Sequence, residues 1–115
     1  MNKIIILILC LSSLSVLADT NDINYLDKEG KKITYSSRNY VITSSNSIYK
    51  VAQTPKETQR KKAGNCLDTA IMIEELAKKE GLKAEVKLVN NGKHAVCIVY
   101  DGVKKYKFSN GRRRL

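Results

Sequence analysis

Gly64-Asn65-Cys66-Leu67-Asp68-Thr69-Ala70 opens the stretch on which the fold turns, and Gly92-Lys93-His94-Ala95-Val96 and Tyr106-Lys107-Phe108-Ser109-Asn110 complete it. Asn65 can cap a helix, and Asp68, three residues on, can reach back to close a capping box. A helix is predicted over 65–80, with Lys78 and Lys79 in its last turn and Gly81 as its C-terminal cap. Cys66, Ala70, Ile73 and Ala77 form one stripe, with Thr69 and Leu76 beside it, while Asp68, Glu75 and Lys79 fall opposite. The stripe turns Cys66 toward the rest of the domain. Small Ala70 and Ala77 let a sheet approach that face closely. Free amides and the positive end of the helix dipole favour a thiolate in the first turn.

Downstream, Ala84, Val86 and Leu88 alternate with Lys83, Glu85 and Lys87, the pattern of a half-buried strand. Asn90-Asn91-Gly92 signals a hairpin turn, His94 to Tyr100 a second strand, Asp101-Gly102 a second turn, and Tyr106 to Phe108 a third strand. The expectation is a three-stranded antiparallel meander over 83–109. A two-residue turn at Asp101-Gly102 pairs Tyr100 with Val103 and His94 with Ser109. A three-residue turn pairs Tyr100 with Lys104, Val96 with Phe108 and His94 with Asn110. The second register gathers Val96, Ile98, Tyr106 and Phe108 on one face, and burial is the larger energy term, so it is the expected one. The helix would then cover the His94 face. Cys97 would point away from it, which argues against a Cys66–Cys97 disulfide.

The start of the chain has the form of a secretory signal over 1–18: Met1-Asn2-Lys3, the apolar run Ile4 to Leu11, and Val16-Leu17-Ala18 before an expected cut near Ala18. The apolar run is shorter than the roughly 20 residues that span a bilayer. The expected location is therefore secreted or periplasmic, with one small domain over 19–115. Within it, 19–53 reads as irregular. Asp19 to Glu29 is a polar arm, and Ile33-Thr34-Tyr35 and Tyr40-Val41-Ile42-Thr43 are short strands. Thr54-Pro55-Lys56-Glu57 starts a short helix over 54–62, stopped by Gly64.

The formal net charge is +10, with local excess at Arg60-Lys61-Lys62, Lys104-Lys105 and Arg112-Arg113-Arg114. Such a charge suits anionic surfaces such as a cell envelope, although a solvated basic face without a partner carries more weight. No aromatic-plus-basic RNA motif is present, so no nucleic-acid partner is expected. One histidine and two mature-chain cysteines on different faces supply too few ligands for a metal, and no cofactor is implied.

With these residues in this order, the chain resembles the transglutaminase-like branch of the papain-like cysteine-enzyme superfamily. The matching pieces are Gly64 to Ala70 opening a helix, Gly81 to Val86 entering a strand, His94-Ala95-Val96 on the next strand, and Tyr106 four residues before Asn110. Val96 stands where the family usually has an aromatic, and Asn110 follows the papain arrangement rather than the transglutaminase aspartate. The resemblance implies an α+β fold with a papain/transglutaminase-like core and acyl transfer on a protein or peptide amide. Cys66 would attack the carbonyl, His94 would shuttle the proton, and Asn110 would orient the imidazole. The oxyanion would bind the Cys66 N–H and a side-chain donor, for which Gln59 is the candidate. Water as acceptor would give a peptidase or amidase, and an amine would give a cross-linker. The rival reading is a small basic secreted binder or inhibitor, either a degenerate form of the fold or one stapled by Cys66–Cys97.

Overall fold

The computed structural model describes residues 19–42 and 47–114; the expected signal over 1–18 and the end of the expected strand at Thr43 lie outside the described residues. The supposedly irregular arm is a helix, α1 (Asp19–Lys31). Its only large apolar anchors inside the domain are Ile23 and Leu26, both fully buried, with buried Gly30 one turn further on. Two anchors in thirteen residues are too few for the periodicity to stand out from a polar sequence, yet they suffice once a core exists to receive them.

Short elements follow: β1 (Thr34–Tyr35), α2 (Ile48–Val51), α3 (Pro55–Lys61) and β2 (Ala63–Gly64). β1 and β2 pair in parallel, Thr34 with Ala63 and Tyr35 with Gly64. Tyr40 to Ile42, expected as a strand, carries no regular structure. α3 starts as its sequence demands. Thr54 accepts a hydrogen bond from Glu57 N at 3.2 Å, and Pro55 takes the first helical position. It ends one residue past Lys61, at Lys62, which adopts a left-handed φ of 53°.

α4 (Cys66–Lys79) is closed at its start by the expected capping box. Asp68 N donates to Asn65 Oδ1 at 2.8 Å, and Asn65 N donates to Asp68 Oδ2 at 3.0 Å. At its far end Gly81 takes a φ of 82° and Leu82 N returns to Ala77 O at 2.9 Å. The sheet then runs β3 (Lys83–Val89), β4 (His94–Tyr100), β5 (Lys105–Ser109) and β6 (Arg112–Arg114), in that spatial order and antiparallel throughout. A fourth strand thus extends the expected three. Asn110 and Gly111, with φ of 53° and 81°, form the two-residue turn that joins β5 to β6.

The register differs from the expected one by one residue. Tyr100 pairs with Lys105, Val99 with Tyr106, Cys97 with Phe108 and Val96 with Ser109. The loop between β4 and β5 therefore holds four residues. Its even length is fixed by Asp101, whose carboxylate accepts from Val103 N and Lys104 N, both at 2.8 Å. The loop between β3 and β4 is also four residues long, with Asn90, Asn91 and Gly92 all at positive φ. Because side chains alternate, one residue of slip exchanges the faces. The face toward α4 carries Ala84, Val86, Ala95, Cys97, Val99, Tyr106 and Phe108, all of which join the core with Cys66, Ala70, Ile73 and Ala77 of the helix. The larger residues Val96 and Ile98 drew the expectation to the wrong face. Small Ala95 and Cys97, facing Ala70 and Ala77, are what a close helix-on-sheet contact accepts. The result is a compact α+β fold with a helix packed on an antiparallel sheet.

α1 locks onto the far edge of this sheet through Gly30. A Cβ built there would lie 1.7 Å from Gly111 O, so the two backbones touch where no side chain fits. Asp27 adds to the join, accepting from Arg113 N at 3.0 Å while pairing with Lys31 at 2.9 Å. Burial alone would push the Asp27 carboxyl up, but the Arg113 amide and the Lys31 ammonium together hold it below its usual value. Gly30→Ala should therefore lower the urea midpoint by an amount equivalent to roughly 1–3 kcal/mol. An unchanged midpoint would mean that α1 does not approach the β5–β6 turn this closely.

Candidate functional site

Cys66 is the first residue of α4 and is 7% exposed. It lies at the floor of a cleft of about 280 Å³ lined by Tyr35, Ser37, Arg38, Asn39, Tyr40, Asn65, Gly92 and Lys93. The walls come from two places. One is the irregular arm between β1 and α2; the other is the β3–β4 turn. The Tyr40 hydroxyl stands 3.9 Å from Cys66 Sγ and donates to Gly92 O at 3.4 Å, so it bridges the arm, the cysteine and the turn. Burial first, then the contact with Cys66 and nearby charges, push the Tyr40 phenol up to about 12. It is a neutral donor throughout the physiological range.

The arm is held by Asp68, expected on the solvent face of α4 but fully buried. Its Oδ1 accepts from Gln53 N at 2.8 Å and from Arg38 Nη2; its Oδ2 accepts from Arg38 Nε at 3.2 Å and Asn65 N at 3.0 Å. Arg38 also donates to Val51 O at 3.1 Å, and Asn65 Nδ2 donates to Arg38 O at 2.5 Å. The bidentate pair and the backbone amides satisfy a carboxylate that burial would otherwise penalise. Gly64 fits beneath it because a Cβ there would sit 2.8 Å from Asp68 Cβ.

The histidine is placed differently from expectation. His94 opens β4 on the face away from α4, since its neighbour Ala95 is fully buried on the helix side. Its Nε2 shares a 2.8 Å hydrogen bond with Ser109 Oγ. Asn110, expected opposite His94, is instead a turn residue at positive φ, and its buried Oδ1 has no hydrogen-bond partner among the described residues. The one-residue register difference changes which β5 side chains share the face of His94: Ser109, paired with Val96, reaches the ring diagonally, while Asn110 falls in the turn. Gln59, the candidate oxyanion donor, lines a separate hollow with Glu29, Lys32, Ile33 and Lys62, not the Cys66 cleft.

Cys97 lies under α4 rather than on the far face, so the geometric argument against a disulfide fails; in the structure Cys66 and Cys97 are both buried free thiols. Cys97 interacts with Glu74 and Lys78, and Glu74 is eight residues, about 12 Å, along the helix from Cys66. Burial first, then the Glu74 charge, push the Cys97 thiol up to about 12. Glu74 itself accepts from the Tyr49 hydroxyl at 2.9 and 3.1 Å, at the edge of an apolar groove of about 410 Å³ that holds no cysteine or histidine. Among the described residues no group of three acidic, histidine or cysteine side chains gathers to hold a metal, and no helix is long and apolar enough to cross a membrane.

The sequence missed Arg38 and Tyr40 as site residues. Arg38 is separated from Asp68 by 30 positions and sits among serines and asparagine, with no local periodicity to mark it. Comparison with protein-family models, with curated proteins and with solved structures gave no match.

Arg38→Met should cost stability toward the lower end of the roughly 3–5 kcal/mol expected for breaking a buried pair, because two backbone amides stay on Asp68. Chemical denaturation reads this directly. The same variant should loosen the cleft and speed alkylation of Cys66; a slower reaction would contradict the arm's role as cover.

Proposed function

We propose that the chain is an exported thiol enzyme of the transglutaminase-like kind, performing acyl transfer or amide hydrolysis at Cys66. The observation that carries this reading is the cysteine at the first position of a capped helix, opening into a polar cleft with the Tyr40 hydroxyl 3.9 Å from its sulfur. A helix packed on an antiparallel sheet, with the cysteine at the helix start and the histidine at a strand start, supports it further.

The chemistry follows from these groups. The Cys66 thiolate adds to an amide or ester carbonyl, a C–S bond forms, and the carbonyl electron pair moves to oxygen. The Cys66 N–H and the neutral Tyr40 hydroxyl are the donors within reach of that oxyanion, in place of Gln59. Collapse expels the amine or alcohol, which takes a proton, and leaves a thioester. Water or a second amine then attacks, releasing the acid or a new amide and restoring the thiolate. His94 is the proposed proton carrier. It begins two residues after Gly92, whose carbonyl Tyr40 touches, and its ring must leave Ser109 to serve the cleft. Export rests on the segment 1–18, whose pattern is that of a cleaved signal.

A second reading has a specific observation in its favour. The His94–Ser109 bond lies on the face away from the helix, which suits a non-enzymatic binder built on a degenerate form of the fold, with both thiols free.

Iodoacetamide at neutral pH should label Cys66 and leave Cys97 unmodified. The Cys97 thiol, raised to about 12, carries almost no thiolate there. Equal labelling of both would sink the nucleophile assignment. Hydrolysis of activated acyl esters and peptide amides should disappear in Cys66→Ala and fall by roughly 10²–10⁴ in His94→Ala. Selective labelling of Cys66 without turnover would favour the binder. Intact turnover in Cys66→Ala would remove the thiol mechanism altogether.

A further inference from the structure

The four-residue loops that reverse the sheet faces also sort the charges. On the side away from α4 stand Lys83 and Lys87 of β3, Lys105 and Lys107 of β5, and Arg112 and Arg114 of β6, all exposed. One carboxylate shares this face, Glu85, and Lys87 already approaches it at 3.7 Å. Between the rows of cations runs β4, with Val96 buried at 4% exposure, Ile98 half-buried and Tyr100 exposed at the end. The acids lie elsewhere. Of the 11 acidic residues in the chain, only Glu85 and Asp101 come after Gly81; the others belong to the helical side and its connections. The molecule is therefore polarised, with its helices carrying mixed charge and one broad face carrying cations.

We propose that this sheet face docks flat against an anionic lipid surface. Its shape and composition select that partner. Four strands at about 4.8 Å spacing make a face roughly 14 Å wide. The cations are spread over both flanks of that width, rather than aligned in a groove that would follow one phosphodiester chain. Proteins that bind single strands add a run of aromatic side chains on which successive bases stack. Among the described residues this face carries two aromatic rings, Tyr100 at one end of β4 and His94 at the other, with the Tyr100 hydroxyl bonded to Gly102 O at 3.1 Å and His94 to Ser109 at 2.8 Å. A headgroup layer asks only for a plane of positive charge, each cation near it being worth about fivefold in partition. The inference does not rest on the chemistry at Cys66. It leaves the Cys66 cleft free, because that cleft opens between the arm and the β3–β4 turn.

Sedimentation with vesicles tests it, using the purified chain in the form in which the cell holds it. Binding should be strong to phosphatidylglycerol–phosphatidylcholine vesicles, weak to phosphatidylcholine alone, and sharply reduced by salt. Lys87→Glu combined with Lys107→Glu should weaken it by about tenfold or more. Lys56→Glu combined with Lys79→Glu, an equal charge change on the helical side, should change it less than about threefold, since those side chains face away from the surface. Circular dichroism checks that each variant is folded; if the glutamates prevent folding, Lys87→Gln with Lys107→Gln replaces them, with a loss of several-fold expected. Equal losses from the two pairs would overturn the proposal in favour of net charge alone. No loss from either pair, or tighter binding to single-stranded DNA than to the vesicles with the same sensitivity to Lys87 and Lys107, would also overturn it.

Discussion

The buried carboxylate of Asp68 is the constraint on which the rest of this structure depends. A charge with no solvent exposure loses several kcal/mol of hydration and persists only where every lone pair is met. Here the partners come from three separate stretches: Arg38 from the arm, Gln53 from the approach to α3, and Asn65 from the cap of α4. Satisfying one side chain therefore ties Arg38 and Gln53 to the start of the main helix. That tie builds the wall of the Cys66 cleft and brings Tyr40 to the sulfur. The cap and the cleft are consequences of the same carboxylate.

A second constraint is the parity of two loops. Side chains alternate along a strand, so even loops and odd loops lead to opposite faces for every residue downstream. The Asp101 carboxylate, holding two amides of its own loop, selects the even length. From that choice follow the burial of Cys97, the pairing of His94 with Ser109, and the gathering of the basic side chains on one open face. The partner of His94 and the charge of the open face are thus both set by a turn that lies outside the lining of the Cys66 cleft.

Much of the fold was legible in the residues. The capping box at Asn65 and Asp68, the proline at the start of α3, the extent of α4 and the positions of β3, β4 and β5 all follow from short-range chemistry that acts within a few residues. α1 was hidden because its apolar signal consists of Ile23 and Leu26 among polar neighbours. β6 was hidden because Arg112 to Arg114 has no strand-like apolar pattern, and it exists only because Asn110-Gly111 turns the chain back onto β5. Of the candidate site, Cys66 at the head of a capped helix could be read directly, whereas the partners of His94 could not.

The sequence by itself determined where helices start and stop, that Cys66 would occupy the first turn of the longest one, and that an antiparallel meander would follow, because capping, turn chemistry and periodicity are local. Only the tertiary structure decided which face of that meander the helix covers and which residues reach Cys66. Burial by size pointed to Val96 and Ile98. Close packing against Ala70 and Ala77, together with the even loops, placed Ala95 and Cys97 there instead, and left His94 on the face with the cations. The approach of Arg38 and Tyr40 was equally beyond local reading, because it depends on a buried carboxylate finding its partners across 30 positions of chain.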